Sequence, residues 1–126
     1  MVERGVTLPS VLGPADLETP EQLAPRLRIV IDDPQTAGLW RAWHQAVLEE
    51  EDLARFQAQW RPAAIGQLAA VIEAARQAHP TRRDLIDAPT VAWMTTTLAR
   101  ELVLSDRQQA PDVDGLARLV HRMVFG

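Results

Sequence analysis

Residues 33–62, DPQTAGLWRAWHQAVLEEEDLARFQAQWRP, decide the fold of this chain and hold three of its four tryptophans. Asp33 and Pro34 are typical of a helix start, because aspartate caps the first turn and proline is favoured at the first helical position. At 100° per residue, the apolar side chains that follow form two stripes separated by about 140°. The first stripe contains Trp40, Trp43, Val47 and Ala54, and the second contains Leu53, Phe56 and Trp60.

The stripe changes at an acidic run, residues 49–52, which consists of three glutamates and an aspartate. Either two helices meet near this run, or one long helix buries different faces along its length. We favour one long, bent helix that ends near Trp60, since neither glycine nor proline occurs between residues 39 and 61. A helix with two apolar stripes is expected to be central in the fold or to present one stripe to another chain.

The flanking segments also show helical periodicity, which predicts an all-α, single-domain bundle of about five helices. Residues 20–31 begin with a capping threonine and a proline, but Pro25 removes a hydrogen bond inside the segment. We favour a helix broken near Pro25 over a strand at residues 26–31. Pro62 fits the first turn of the next helix. Helices are therefore expected at residues 62–79, 81–88, 90–105 and 112–124.

Residues 1–19 form a second predicted unit, an irregular N-terminal arm, beside the helical domain of residues 20–126. The arm contains two glycines and two prolines and shows no sustained period. Its apolar side chains need cover, either from the core of their own chain or from a partner. We take Leu8, Val11 and Leu12 as candidate partner contacts.

The composition excludes several classes of function. A chain of 126 residues buries enough surface to fold without a metal or a disulfide, and it has no cysteine for either kind of site. The net charge of −4 differs from the basic footprint of a dedicated nucleic-acid binder. No run has the length and apolarity of a membrane span, and the first thirty residues lack the pattern of a secretory signal. We therefore expect a cytoplasmic protein without a membrane segment.

Sequence patterns that carry catalysis or bind cofactors are absent. None of His44, His79 and His121 has a glutamate three residues before it, as a di-iron bundle requires. The two serines lie outside any nucleophile motif, and no Gly-x-Gly occurs that would cradle a phosphate. We expect no cofactor, no metal and no enzymatic activity.

Tryptophan is the remaining functional signal, because it is enriched among the anchors of protein interfaces. Its more usual role is to fill the core of a small bundle, and we expect this above all of Trp60 and Trp93. The predicted function is a non-enzymatic helical interaction protein, which could be an adaptor, a chaperone or a small subunit of a self-associating assembly. The candidate partner-binding residues on the helices are Trp40, Trp43, Leu53, Phe56 and Trp60.

Residues 67–114 support an alternative function. A helix at 67–78, the short helix TRRDLIDA at 81–88, a turn and the helix TVAWMTTTLARE at 90–101 precede a polar stretch. This order resembles a winged helix-turn-helix DNA-binding domain, and the resemblance implies a nucleic-acid-associated protein whose last helix faces DNA. It places on DNA the side chains of Thr95, Thr96, Thr97 and Arg100, with Arg82, Arg83 and Arg107 on phosphates.

Overall fold

The computed structural model describes residues 12–79, 85–104 and 112–126. Within these ranges the regular structure is helical and no strand is present, so the prediction of an all-α bundle is confirmed. A short 3-10 helix, Pro14–Leu17, precedes five α-helices. These are α1, Pro20–Ile31; α2, Pro34–Glu49; α3, Glu51–Ala78; α4, Ala88–Leu104; and α5, Val113–Phe125.

Four of the five helices begin after a residue whose side chain accepts a hydrogen bond from a backbone N–H in the first turn. For α2 this residue is Asp33, as expected, which accepts from the N–H of Gln35 at 3.4 Å. Thr19 accepts from the N–H of Gln22 before α1, at 3.1 Å, and Asp112 caps α5 in the same way. Asp87 accepts from the N–H of Thr90 before α4 and also from its hydroxyl. These bonds to Thr90 hold the pKa of the Asp87 carboxyl below its usual value. Each cap satisfies a donor that has no partner within its own helix.

Helix α1 runs through Pro25 without a break, so the helical interpretation of residues 20–31 is confirmed and the expected interruption is absent. Pro25 is exposed, and the carbonyl that loses its partner belongs to Glu21, which is exposed as well. The opposite face buries Leu23, Leu27 and Val30 completely. Burial of this face outweighs one hydrogen bond that water can replace.

The single long helix that we expected between residues 33 and 60 is wrong, because the chain forms two helices. Helix α2 ends at Glu49, Glu50 is extended with φ −125° and ψ 120°, and α3 begins at Glu51. The start of a new helix at Pro62 is also wrong, since α3 continues through this exposed proline to Ala78. The break therefore lies inside the acidic run, where the apolar stripe changes.

Helices α1 and α5 lie antiparallel. Arg28, near the end of α1, donates to the carboxylate of Asp114 at the start of α5. At the other end, Nε2 of His121 lies 3.0 Å from the backbone oxygen of Glu18. Together with α3 and α4 these two helices enclose the core. Its largest fully buried side chains include Leu17, Leu23, Leu27, Leu68, Ile72, Val91, Val103, Val120 and Val124.

The described part of the arm, residues 12–19, packs on its own chain. Leu12 and Leu17 belong to the hydrophobic core, with 4% and 1% of their surface exposed. The structure thus places Leu12 against its own core and not on a surface open to a partner. Leu8 and Val11 lie outside the described residues.

Candidate interaction surface

The chain reverses direction at Glu50, and side chains from α2 and α3 meet beside this point. The rings of Trp43 and Phe56 are in edge-to-face contact, with centroids 6.1 Å apart and planes at 81°. The indole Nε1–H of Trp43 donates to Oε1 of Gln57 at 2.8 Å. Trp43 and Gln57 each lie seven residues from Glu50, so these contacts show that the two helices fold back on each other.

An apolar surface begins at this contact and follows α3. Leu53, Phe56 and Trp60 recur at i, i+3 and i+7, so they form one stripe along the helix. Phe56 is 44% exposed, and the other two side chains are half-buried, as is Trp43. We name the surface formed by Trp43, Leu53, Phe56 and Trp60 the aromatic patch.

Helix α2 has one side that faces the core and one that is open to solvent, and Trp40 and Leu48 lie on these two sides respectively. Trp40 packs against the buried core cluster, whereas Leu48 has 69% of its surface exposed near the end of the helix. Of the five candidate residues on the helices, four therefore form the aromatic patch and Trp40 supports the core. The whole second apolar stripe therefore belongs to the patch, whereas the first stripe contributes only Trp43.

The acidic run borders the aromatic patch, and all four of its residues are exposed. Asp52 forms an ion pair with Arg55 at 2.8 Å, and Glu49 accepts a hydrogen bond from the amide of Gln45. Glu50 and Glu51 form no ion pair with the described residues. Of the five charged residues between positions 49 and 55, four are acidic. The end of the patch at the turn between α2 and α3 is therefore negatively charged.

Hydrogen bonds from two arginines connect α2 and α3 to α4 and so fix the position of the aromatic patch. Arg41 of α2 donates to the backbone oxygen of Val103 at 3.1 Å. Arg61, which follows Trp60, lies 3.5 Å from the hydroxyl oxygen of Thr97. Burial, and secondarily the charge of nearby Arg100, lowers the pKa of Arg61. Both guanidinium groups are engaged within the chain.

Helix α4 does not present the DNA-facing surface that the resemblance implies. Thr95 is 1% exposed and belongs to the core, so its assignment to DNA is wrong. Thr96 and Arg100 are half-buried, and the hydroxyl of Thr97 is the acceptor for Arg61. Arg82, Arg83 and Arg107 lie outside the described residues.

Where the structure describes this region, the helices also differ from those of a winged helix-turn-helix. The first expected helix, residues 67–78, is the end of the 28-residue helix α3. Residues 85–87 of the expected short helix are not helical. Nothing in the described residues therefore supports this likeness.

Trp93 is 50% exposed, so its assignment to the core is wrong. The buried face of α4 is made largely of small residues, and Trp93 projects about 140° from the centre of this face. Met94 and Leu98 lie beside this face, where they pack against the core and are half-buried. The residues of the buried face are Ala88, Val91, Ala92, Thr95, Ala99, Leu102 and Val103.

Gln57 is the residue of the site that the sequence pattern missed. It is polar, and its contact with Trp43 joins two helices that a single long helix would keep apart. The only signal in the sequence is that Gln57 and Trp43 lie the same number of residues from Glu50. This spacing is informative only once a reversal of the chain at Glu50 is known.

A metal centre finds no support in the described ranges, which contain no group of three or more His, Asp or Glu side chains that could hold an ion. No helix within these ranges combines the length and apolarity needed to cross a membrane. Neither a protein-family model, nor a curated protein, nor a solved structure matches the chain. The aromatic patch is thus the feature on which a functional interpretation depends.

Proposed function

We propose that this chain is a non-enzymatic helical interaction protein that binds another protein chain on the aromatic patch. The observation that carries the proposal is the exposed ring of Phe56, which is 44% accessible and held edge-on against Trp43. Large aromatic side chains in defined positions supply much of the free energy of protein association. Single exposed apolar residues are ordinary on a monomer, but the patch joins the exposed ring of Phe56 to three half-buried apolar side chains from two helices.

The patch is also held in one arrangement before any partner binds. Gln57 fixes the indole of Trp43, and Arg41 and Arg61 fasten the two helices to α4. Side chains that are already ordered lose less conformational entropy on association. This arrangement supports the role of an adaptor, a chaperone or a subunit of a larger assembly, with a second copy of the chain as one possible partner.

The proposal predicts that Phe56→Ser removes binding, whereas Leu119→Ser does not. The two side chains have nearly the same exposure, 44% and 45%, but Leu119 lies on α5 and outside the patch. Loss of an aromatic anchor costs about 2 kcal/mol or more, which corresponds to roughly 30-fold weaker binding. Sedimentation velocity at tens of micromolar measures self-association, and capture from an extract of the native host measures binding of other proteins.

The wild-type chain and Leu119→Ser are expected to behave alike in both measurements, and Phe56→Ser is expected to lose the complex. If the wild-type chain sediments as a monomer and all three proteins retain the same set of host proteins, the aromatic patch is not a binding surface. In that case the proposed function fails.

A further inference from the structure

The acidic residues beside the aromatic patch indicate the charge of the partner that it binds. At a rise of 1.5 Å per residue, Phe56 lies about 6 Å along α3 from Asp52, and Trp43 about 9 Å along α2 from Glu49. A segment that covers Trp43 and Phe56 therefore comes close to the acidic run. Glu50 lies at the turn between the helices and has no ion pair within the described residues. Asp52 lies about 70° around α3 from the centre of the stripe formed by Leu53, Phe56 and Trp60, and its only ion pair within the described residues is the exposed one with Arg55.

The shape of the patch fits a helical segment. The stripe from Leu53 to Trp60 extends about 10 Å along α3, which matches two turns of a second helix. Helices recognised in this way insert apolar residues at i, i+3 or i+4, and i+7.

Resting on the proposed function, we propose that the aromatic patch binds an amphipathic helical segment whose polar face is rich in arginine or lysine. Its apolar residues contact Phe56 and Trp43, and its basic residues lie beside Glu50 and Asp52. Such charge complementarity increases the association rate and selects among partners with similar apolar faces.

A second copy of this chain is a poorer occupant of the same surface. In a two-fold symmetric dimer the same patch faces itself, so each acidic run approaches the other. Like charges at this separation repel, and the repulsion is strongest at low ionic strength. The dependence of binding on salt concentration therefore distinguishes the two occupants. Salt weakens the binding of a basic segment, whereas it strengthens the pairing of two identical acidic surfaces.

The test uses the full chain and three fluorescein-labelled helical peptides of 18 residues with the same leucine face. Their polar positions carry arginine, glutamine or glutamate, and fluorescence anisotropy measures binding at low and high salt. The arginine peptide is expected to bind at least tenfold more tightly than the glutamine peptide at low salt, and the glutamate peptide most weakly. This advantage is expected to shrink several-fold at high salt.

Two matched double variants separate a local effect from the net charge of the protein. Glu50→Lys with Asp52→Lys reverses charge at the patch, and we expect it to abolish the advantage of the arginine peptide. Glu21→Lys with Glu73→Lys makes the same change in net charge at the other end of α3, where Glu18 contacts His79. We expect this control to retain most of the advantage.

The results distinguish failure of this inference from failure of the proposed function. If the arginine and glutamine peptides bind equally and Phe56→Ser abolishes both, the patch is a docking surface without charge selection, and the inference is overturned. Equal effects of the two double variants also overturn it, because attraction to net charge then explains the preference. The inference is also overturned if the chain self-associates more strongly at high salt and this self-association disappears in Phe56→Ser. If no peptide binds, the inference fails, and sedimentation and host capture decide the proposed function separately.

Discussion

At the scale of single residues, Thr95 shows how a polar side chain can be buried without a partner. Its hydroxyl oxygen is inaccessible and forms no hydrogen bond within the described residues. An unsatisfied buried hydroxyl costs about 1–3 kcal/mol of desolvation, whereas an apolar group of the same shape avoids that cost. We therefore expect Thr95→Val to raise the free energy of unfolding by about 1 kcal/mol.

The matched control is Thr97→Val, which makes the same change two residues further along α4. The hydroxyl of Thr97 accepts from Arg61, so its removal is expected to lower the free energy of unfolding by up to about 1 kcal/mol. Urea unfolding followed by circular dichroism measures both changes. A loss of stability in Thr95→Val would show that its hydroxyl is hydrogen-bonded in solution.

At the scale of elements, the helices that the sequence predicted well are those with a cap and one apolar stripe. Helix α5 has Asp112 before it, Gly126 after it with φ 92°, and one buried apolar face formed by Val113, Leu116, Val120 and Met123. The break at Glu50 was the alternative that we did not favour, because glutamate does not mark a helix end and the charged run offers no turn residue. The reversal depends on tertiary contacts such as that of Trp43 with Phe56, which are remote in sequence.

Whether Glu50→Asp raises or lowers the free energy of unfolding depends on whether the chain reverses direction at Glu50. Glu50 precedes the first turn of α3 and its side chain forms no capping hydrogen bond there. Aspartate is a preferred capping residue, so Glu50→Asp is expected to raise the free energy of unfolding by about 0.5–1 kcal/mol. In the interior of a continuous helix the same change would be destabilising, because aspartate has a lower helix propensity than glutamate.

The control for this change is Glu51→Asp, which removes the same methylene at the first helical position. Its carboxylate is not placed to cap, so the free energy of unfolding is expected to change by less than about 0.5 kcal/mol. Urea denaturation at neutral pH measures both variants. A decrease in stability for Glu50→Asp would contradict the division into α2 and α3.

At the scale of the whole molecule, arginines link the end of one helix to the side of another. Arg41 donates to a carbonyl near the end of α4, and Arg76 donates to two carbonyls near the end of α5. The last carbonyls of a helix have no partner within it, so a side chain from a neighbouring helix satisfies them. All thirteen basic residues of the chain are arginines, whose planar guanidinium groups suit such contacts, but which carbonyls they reach depends on the packing of the helices.

Arg76 should therefore contribute more to stability than an arginine on the open surface. Its Nε and Nη2 donate to the backbone oxygens of Val124 and Met123 at 2.8 and 3.0 Å. Arg76→Ala leaves both carbonyls without this donor, and we expect a loss of about 2 kcal/mol. Arg76→Lys keeps the charge but not the two-pronged geometry, so its loss should be about half as large. Arg55→Ala, which removes an exposed ion pair with Asp52, is expected to cost about 0.5 kcal/mol or less.

Hydrogen exchange identifies where the effect of Arg76 lies. In Arg76→Ala, the amides of the last two turns of α5 should exchange faster than in the wild-type chain, because the end of α5 is no longer tied to α3. Arg55→Ala should leave these amides unchanged, since that pair lies in the first turns of α3. Equal losses of stability in Arg76→Ala and Arg55→Ala, with no change in exchange at α5, would show that this link does not stabilise the bundle.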